Sequence, residues 1–150
     1  LEQGLLSESE EPGLLQRPDD AGKKELQLRI MGHSLLQTFE RYYITIAILA
    51  KNGSGILTRS ELEQLCFLTA QRMSQLSEFA APEFSDRHMF RQFIALLRDQ
   101  GVLSTNAEEK LEYNEMMQQV SDDARYILSQ EIRHGIIRVA PQVLRHPDPE

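Results

Sequence analysis

The chain has 150 residues, of which 41% are hydrophobic and 26% charged, so it suits one domain or slightly more and is neither disordered nor collagen-like. Its net charge of −7 argues against a nucleic-acid binder, which needs a basic footprint to displace counterions. One cysteine makes no internal disulfide. Without a signal-peptide pattern a reducing cytosolic setting is expected, and the longest apolar run, Tyr42 to Ala50, falls far short of the ~20 residues of a membrane span.

The charge is uneven along the chain. Residues 1–20 carry −5, 21–60 carry +4, 61–106 carry −2 and 107–150 carry −4. A basic band from Lys23 to Arg59 thus lies between acidic ends. Lys and Arg spread along one helix usually form a solvated face.

The opening passage Gln3-Gly4-Leu5-Leu6-Ser7, with its acidic continuation and Leu14-Leu15, shares its plan with Gln100-Gly101-Val102-Leu103-Ser104 and the turn to Lys110-Leu111. Each has a helix-ending Gly, a short apolar strand, a polar turn and a second strand. Two β-hairpins in two similar modules are expected, the first module truncated by the start of the chain. Residues 1–22 are accordingly the end of a preceding module, with Arg17 to Gly22 as a linker.

From Lys23, Leu28, Met31, Leu35, Phe39, Tyr42, Ile46 and Leu49 recur at three- and four-residue steps, the stripe of an amphipathic helix. Gly32 is a point of possible breakage. The β-formers Tyr42 to Ile46 make a strand the competing reading, but length and periodicity favour a buried helix closed by Asn52-Gly53. Thr58-Arg59-Ser60-Glu61 has capping-box spacing. It opens a second helix lined by Leu62, Leu65, Cys66, Thr69, Met73 and Leu76. Ala80-Ala81-Pro82-Glu83-Phe84 reads as a turn, since Pro82 biases Ala81 away from helical geometry, and Ser85 can cap a third helix. That helix packs Met89, Phe90, Phe93, Ile94, Leu96 and Leu97 inward and stops at Gly101.

Three helices followed by a hairpin give the expected fold class. It is mainly α, a helical bundle with a winged-helix-like arrangement over residues 23–139, a further C-terminal helix and a truncated N-terminal hairpin. The last stripe, from Tyr113 through Met116, Met117, Val120, Ala124, Ile127 and Leu128, is expected to break near Ser121-Asp122-Asp123, which can cap a restart. Ile136 to Val139 reads as a short strand or a tucked-in extension. The Pro-containing tail 140–150 is expected to fray.

Chemistry needs a constellation, and none is complete. His33, His88, His134 and His146 include no pair at metal-ligand spacing, and there is no second cysteine, so no metal ligand is assigned. Cys66 lies on an apolar helix side and reads as a small buried hydrophobe. Gly53-Ser54-Gly55 lacks the Lys of a phosphate-cradling loop. Asp86 and His88 stand two apart and point to different faces of a helix. Glu108-Glu109 and Asp122-Asp123 suit a turn and a helix start, and Met116-Met117 is core material. Arg87, Arg91 and Arg98 give the would-be reading helix only a slight positive charge, and the wing is acidic. No catalytic, cofactor-binding or metal residue is assigned, and no cofactor.

Five passages in order carry a family resemblance. They are Leu36-Gln37-Thr38-Phe39-Glu40-Arg41-Tyr42-Tyr43-Ile44-Thr45, Leu57-Thr58-Arg59-Ser60-Glu61-Leu62-Glu63, Ala70-Gln71-Arg72-Met73-Ser74, Ala81-Pro82-Glu83-Phe84-Ser85-Asp86 and Leu97-Arg98-Asp99-Gln100-Gly101. The run from Ser34 to Val102 resembles the C-terminal region of the bacterial membrane-associated glycerol-3-phosphate acyltransferases. The resemblance implies a parent enzyme that moves a fatty acyl group from acyl-carrier protein or coenzyme A to glycerol 3-phosphate, the first step of phospholipid synthesis. It also implies a location at the cytoplasmic face of the inner membrane.

The family's His, with an Asp five positions on, would act as general base and its orienting partner. Here the residues five after His33, His88 and His134 are Thr38, Phe93 and Val139, so no catalytic residue carries over. The expected partners are the catalytic domain of the same polypeptide, the membrane surface through the full-length protein, and no nucleic acid. A winged-helix interaction domain unrelated to lipid synthesis is the alternative.

Overall fold

A computed structural model describes residues 7–8, 15–16, 23–76 and 86–143. Contacts divide the chain into two compact units, Leu1–Gln37 and Thr38–Glu150. Strand β1 (Ser7–Glu8) pairs antiparallel with β2 (Leu15–Gln16) in the first unit, at the place read as the first hairpin. The linker at 17–22, the turn at 80–84, Ser85 and residues 144–150, His146 among them, lie outside the described residues.

Helix α1 (Lys23–Asn52) runs through Gly32 without a break, its first half in one unit and its second half in the other. In the first unit Leu26, Ile30, Met31 and Leu35 are all exposed, so the stripe read from sequence is not core there. From Tyr43 to Leu49 every residue is buried, Thr45 included. A helix apolar on all sides belongs inside other helices. That answers the strand alternative for Tyr42 to Ile46: neighbours on every side override β-propensity. Gly53, at φ 92°, closes the helix, and its N–H donates to the Leu49 carbonyl at 2.9 Å.

Helix α2 (Arg59–Gln75) starts at the expected capping box. The Thr58 hydroxyl accepts from the Glu61 N–H at 3.3 Å, and the Glu61 carboxylate accepts from the Thr58 N–H at 2.7 Å. These bonds to the charged form hold the Glu61 carboxyl below its usual range. Thr58→Ala is expected to lower stability by about 1 kcal/mol in urea unfolding. Leu62, Cys66, Thr69 and Met73 are buried as expected, whereas Leu76 is exposed where the helix ends.

Helix α3 (Arg87–Asp99) is capped by Asp86, which accepts from the His88 N–H at 2.8 Å. Phe90, Phe93, Ile94 and Leu97 form its buried stripe at helical spacing. Leu96 was read as inward-facing and is 46% exposed, because a stripe this wide would need more than the one face α3 packs. Arg91 pairs with Glu63 at 3.3 Å and the Arg87 guanidinium lies 4.2 Å over the Phe67 ring, joining α3 to α2.

Past Gly101 (φ 72°), β3 (Leu103–Thr105) and β4 (Leu111–Tyr113) form the expected antiparallel hairpin, and β3 packs on α3. Asn106 shapes its turn by accepting from the N–H groups of Glu108 and Lys110. The segment before α2 adds to this hairpin. Leu111 N–H donates to Leu57 O at 2.7 Å, Gly55 N–H donates to Leu111 O at 2.8 Å, and Thr58 bridges Lys110. Ser54 accepts from Tyr113 N–H, so Gly53-Ser54-Gly55 is a tie to the hairpin.

Helix α4 (Met116–Asp123) passes into a 3₁₀ turn, Ala124–Tyr126, and α5 (Gln130–Val139) follows. The α-helix thus ends at Asp123, near the break expected at residue 121, but the restart comes later, after the 3₁₀ turn, where Ser129 caps it by accepting from Ile132 N–H. Asp122 and Asp123 therefore end a helix instead of beginning one. Met117 is buried but Met116 is 48% exposed. The β-branched run at Ile136 is helical, not a strand, because α5 buries Gly135 and Ile136 and packs on α2. Lys51 Nζ donates to the Ile137 and Ala140 carbonyls at 3.0 and 2.6 Å. Asn52 holds Pro141 O and Val143 N–H, so these bonds tie the start of the tail to α1.

Candidate functional site

The residues singled out from sequence do not come together. Cys66 is fully buried, its thiol donates to the Thr45 hydroxyl with Sγ and Oγ1 3.5 Å apart, and burial pushes the thiol up to about 12. A thiol so desolvated is not a nucleophile near neutral pH. Asp86 is consumed as a helix cap, and the His88 ring meets the Gln92 amide at 2.9 Å. His134 is exposed on α5. Among the described residues no three His, Cys, Asp or Glu side chains converge on a metal-sized site.

Nor does the basic band form one surface. Arg41 is 8% exposed, Lys51 closes the C-terminus of α5, and Arg59 pairs with Glu63 at 3.1 Å. Of the would-be reading helix, Arg87 and Arg91 are engaged with α2.

The feature with shape and chemistry is a cleft of about 310 Å³ within the unit Thr38–Glu150. Phe39, Tyr42, Tyr43 and Ile46 of α1 form one wall, and Phe93 and Leu96 of α3 face them. Val120, Ala124 and Ile127 close the third side, with Asp123 as the charged residue among the described lining. Tyr42 stacks on Phe93 with ring centroids 3.9 Å apart and planes 7° apart, and Phe39 meets Tyr42 edge-on at 6.4 Å. Such pairs fix the aromatic wall. Phe39, Leu96 and Ile127 remain 37%, 46% and 46% exposed, which makes the rim as apolar as the floor. The sequence places Phe39, Leu96 and Ile127 in apolar stripes that read as core, and marks the Tyr42-Tyr43 region as a surface to test. Their exposure depends on which helix covers which face.

One buried acid accompanies the site. Glu40, beside Phe39 on α1, is 4% exposed, and its Oε2 lacks a hydrogen-bond partner. Burial pushes its carboxyl up to about 7, against the opposing pull of Arg41. Burial likewise raises the Tyr43 phenol, against the pull of Arg133. The signal for Glu40 in sequence is faint: one acid between Phe39 and the Arg41 that precedes a long apolar run.

A second crevice, of about 530 Å³, lies beside the start of α2 and is lined by Arg59, Glu63, Arg98 and Glu109. Its first two charges already pair with each other, and the helix start it adjoins is capped by its own residues.

Comparison with known proteins identifies the chain. The family model described as the glycerol-3-phosphate acyltransferase C-terminal region matches residues 1–106. The glycerol-3-phosphate acyltransferase of Xanthomonas campestris pathovar campestris is 45% identical over 136 residues, 91% of this chain and 15% of that protein. That of Xylella fastidiosa strain M12 is 44% identical over 147 residues, 95% of this chain and 17% of that protein. That of Pseudomonas fluorescens strain Pf-5 is 40% identical over 141 residues, 93% of this chain and 17% of that protein. The chain thus spans about one sixth of the length of these relatives. No solved structure matches it. With helices α1, α2 and α3 underlying more than half of the matched stretch, the chain belongs to the glycerol-3-phosphate acyltransferase C-terminal region family.

Proposed function

We propose that this chain is an accessory module of a glycerol-3-phosphate acyltransferase, without acyl-transfer activity of its own. The observation that carries this reading is the lopsided coverage: nine-tenths of the chain matches about one sixth of each relative. The disposition of its reactive side chains supports it, since Cys66, Asp86 and His88 are occupied in packing and capping. In this reading residues 23–139 form a winged-helix-like domain, 1–22 end a preceding module and 140–150 are a tail. The parent polypeptide transfers an acyl group from acyl-carrier protein or coenzyme A to glycerol 3-phosphate at the cytoplasmic face of the inner membrane. The module packs against its catalytic domain. Among the described residues no helix is long and apolar enough to cross a membrane.

The test has two arms. Incubated with glycerol 3-phosphate and acyl-coenzyme A, the purified chain is expected to release no free thiol. Turnover by a clean preparation would end the proposal. Expressed as two separate chains, the module and the remainder of its parent are expected to co-purify, and failure to associate would count against an accessory role. The alternative of a scaffold unrelated to lipid synthesis finds no support in the family match.

A further inference from the structure

The geometry points to the cleft between α1, α3 and α4 as the seat of an amphipathic segment from the parent polypeptide outside residues 1–150, one that presents apolar anchors and a basic residue opposite Asp123. This inference rests on the accessory-module reading and names the surface through which it operates.

Three observations select this occupant. First, Phe39, Leu96 and Ile127 stand exposed around one depression whose floor is also apolar. Contiguous exposed apolar surface with a preformed floor is the anatomy of an interface core. Tyr42 and Phe93, stacked at 3.9 Å, hold that floor rigid before anything docks, so little ordering entropy remains to oppose association.

Second, the size suits side-chain anchors. A cleft of about 310 Å³ lies at the bottom of the ~300–1,000 Å³ range of pockets that enclose a small molecule. It admits the few apolar side chains that an amphipathic helix offers along one face.

Third, charge favours a basic partner over an anionic one. Among the described residues the charged side chain lining the cleft is Asp123, and Asp122 precedes it in sequence. Both repel an anionic lipid headgroup or a fatty carboxylate and favour a Lys or Arg. The length of chain outside the structure supplies candidates, because about five-sixths of each relative lies beyond the matched stretch.

The test uses the full-length parent with a photo-cross-linking amino acid at Leu96 or Ile127, and at exposed Arg72 on α2 as the control. Both cleft positions are expected to cross-link to one apolar segment of the same polypeptide outside residues 1–150, which the control does not reach. Cross-links to a second copy, to phospholipid, or to nothing would overturn the inference.

In the two-chain format, Leu96→Glu with Ile127→Glu is expected to weaken co-purification at least tenfold. Asp123→Lys, which leaves the apolar walls intact, is expected to weaken it severalfold, an effect that added salt reduces. If the unaltered pair associates but neither change weakens it, the cleft is not the seat and the accessory reading stands. If the unaltered pair fails to associate, both fail. Unchanged far-ultraviolet circular dichroism of the variant module separates loss of docking from loss of fold.

Discussion

Phe90→Ala is expected to lower the unfolding free energy by about 3–5 kcal/mol. Phe90 is 1% exposed on α3, which lies between α2 and the hairpin strand β3. Truncation removes the apolar ring and leaves a void that helices anchored on both sides cannot collapse. Against a typical total of about 5–15 kcal/mol this is a severe loss, visible as an earlier urea midpoint with unchanged slope. Leu96→Ala, six residues along the same helix, is expected to cost less than about 1 kcal/mol, because Leu96 stands half in solvent. Comparable losses for the two variants would show that α3 does not present the face described.

Glu40→Gln is expected to remove a pH dependence of stability. The carboxyl of Glu40 has a folded-state pKa of about 7, above its ordinary value of 4.5. Between those two values the folded state holds a proton that the unfolded state has released, so stability falls as pH rises through this window. The contribution is complete below about pH 4.5 and gone above about pH 7. Its size is on the order of 3 kcal/mol, and it arises because a buried carboxylate with one oxygen unpaired is costlier than the neutral acid. Denaturant titrations at pH 5, 6, 7 and 8 are expected to show the parent losing stability relative to the Gln variant. Parallel curves across that range would refute the assignment.

The elements whose ends are marked by local chemistry were legible in the residues. Thr58 and Glu61 form the capping box their spacing announced, and Gly53 and Gly101 stop their helices at positive φ. The hairpin between Leu103 and Tyr113 follows its turn residues. Each is decided within four or five residues, where backbone hydrogen bonds and steric limits act directly. The cap of α3 shows how fine that margin is: Ser85 and the adjacent Asp86 are both good caps, and Asp86 takes the role.

The candidate site was not legible in the same way. Leu96, Ile127 and Phe39 carry the periodicity of core residues, and nothing in that periodicity distinguishes a buried stripe from an exposed rim. Ile136 has the β-branched chemistry of a strand, yet α5 packs on α2 as a helix. Glu40 gives no hint of burial beyond its apolar neighbours.

The amino-acid order alone determined the helical class, the hairpin and the family, because these rest on local periodicity, capping chemistry and ordered short passages. Which apolar faces are covered was decided by the tertiary structure. Burial depends on residues distant along the chain, such as Tyr42 against Phe93 or Lys51 against Ala140, and a one-dimensional pattern does not specify which of them meet.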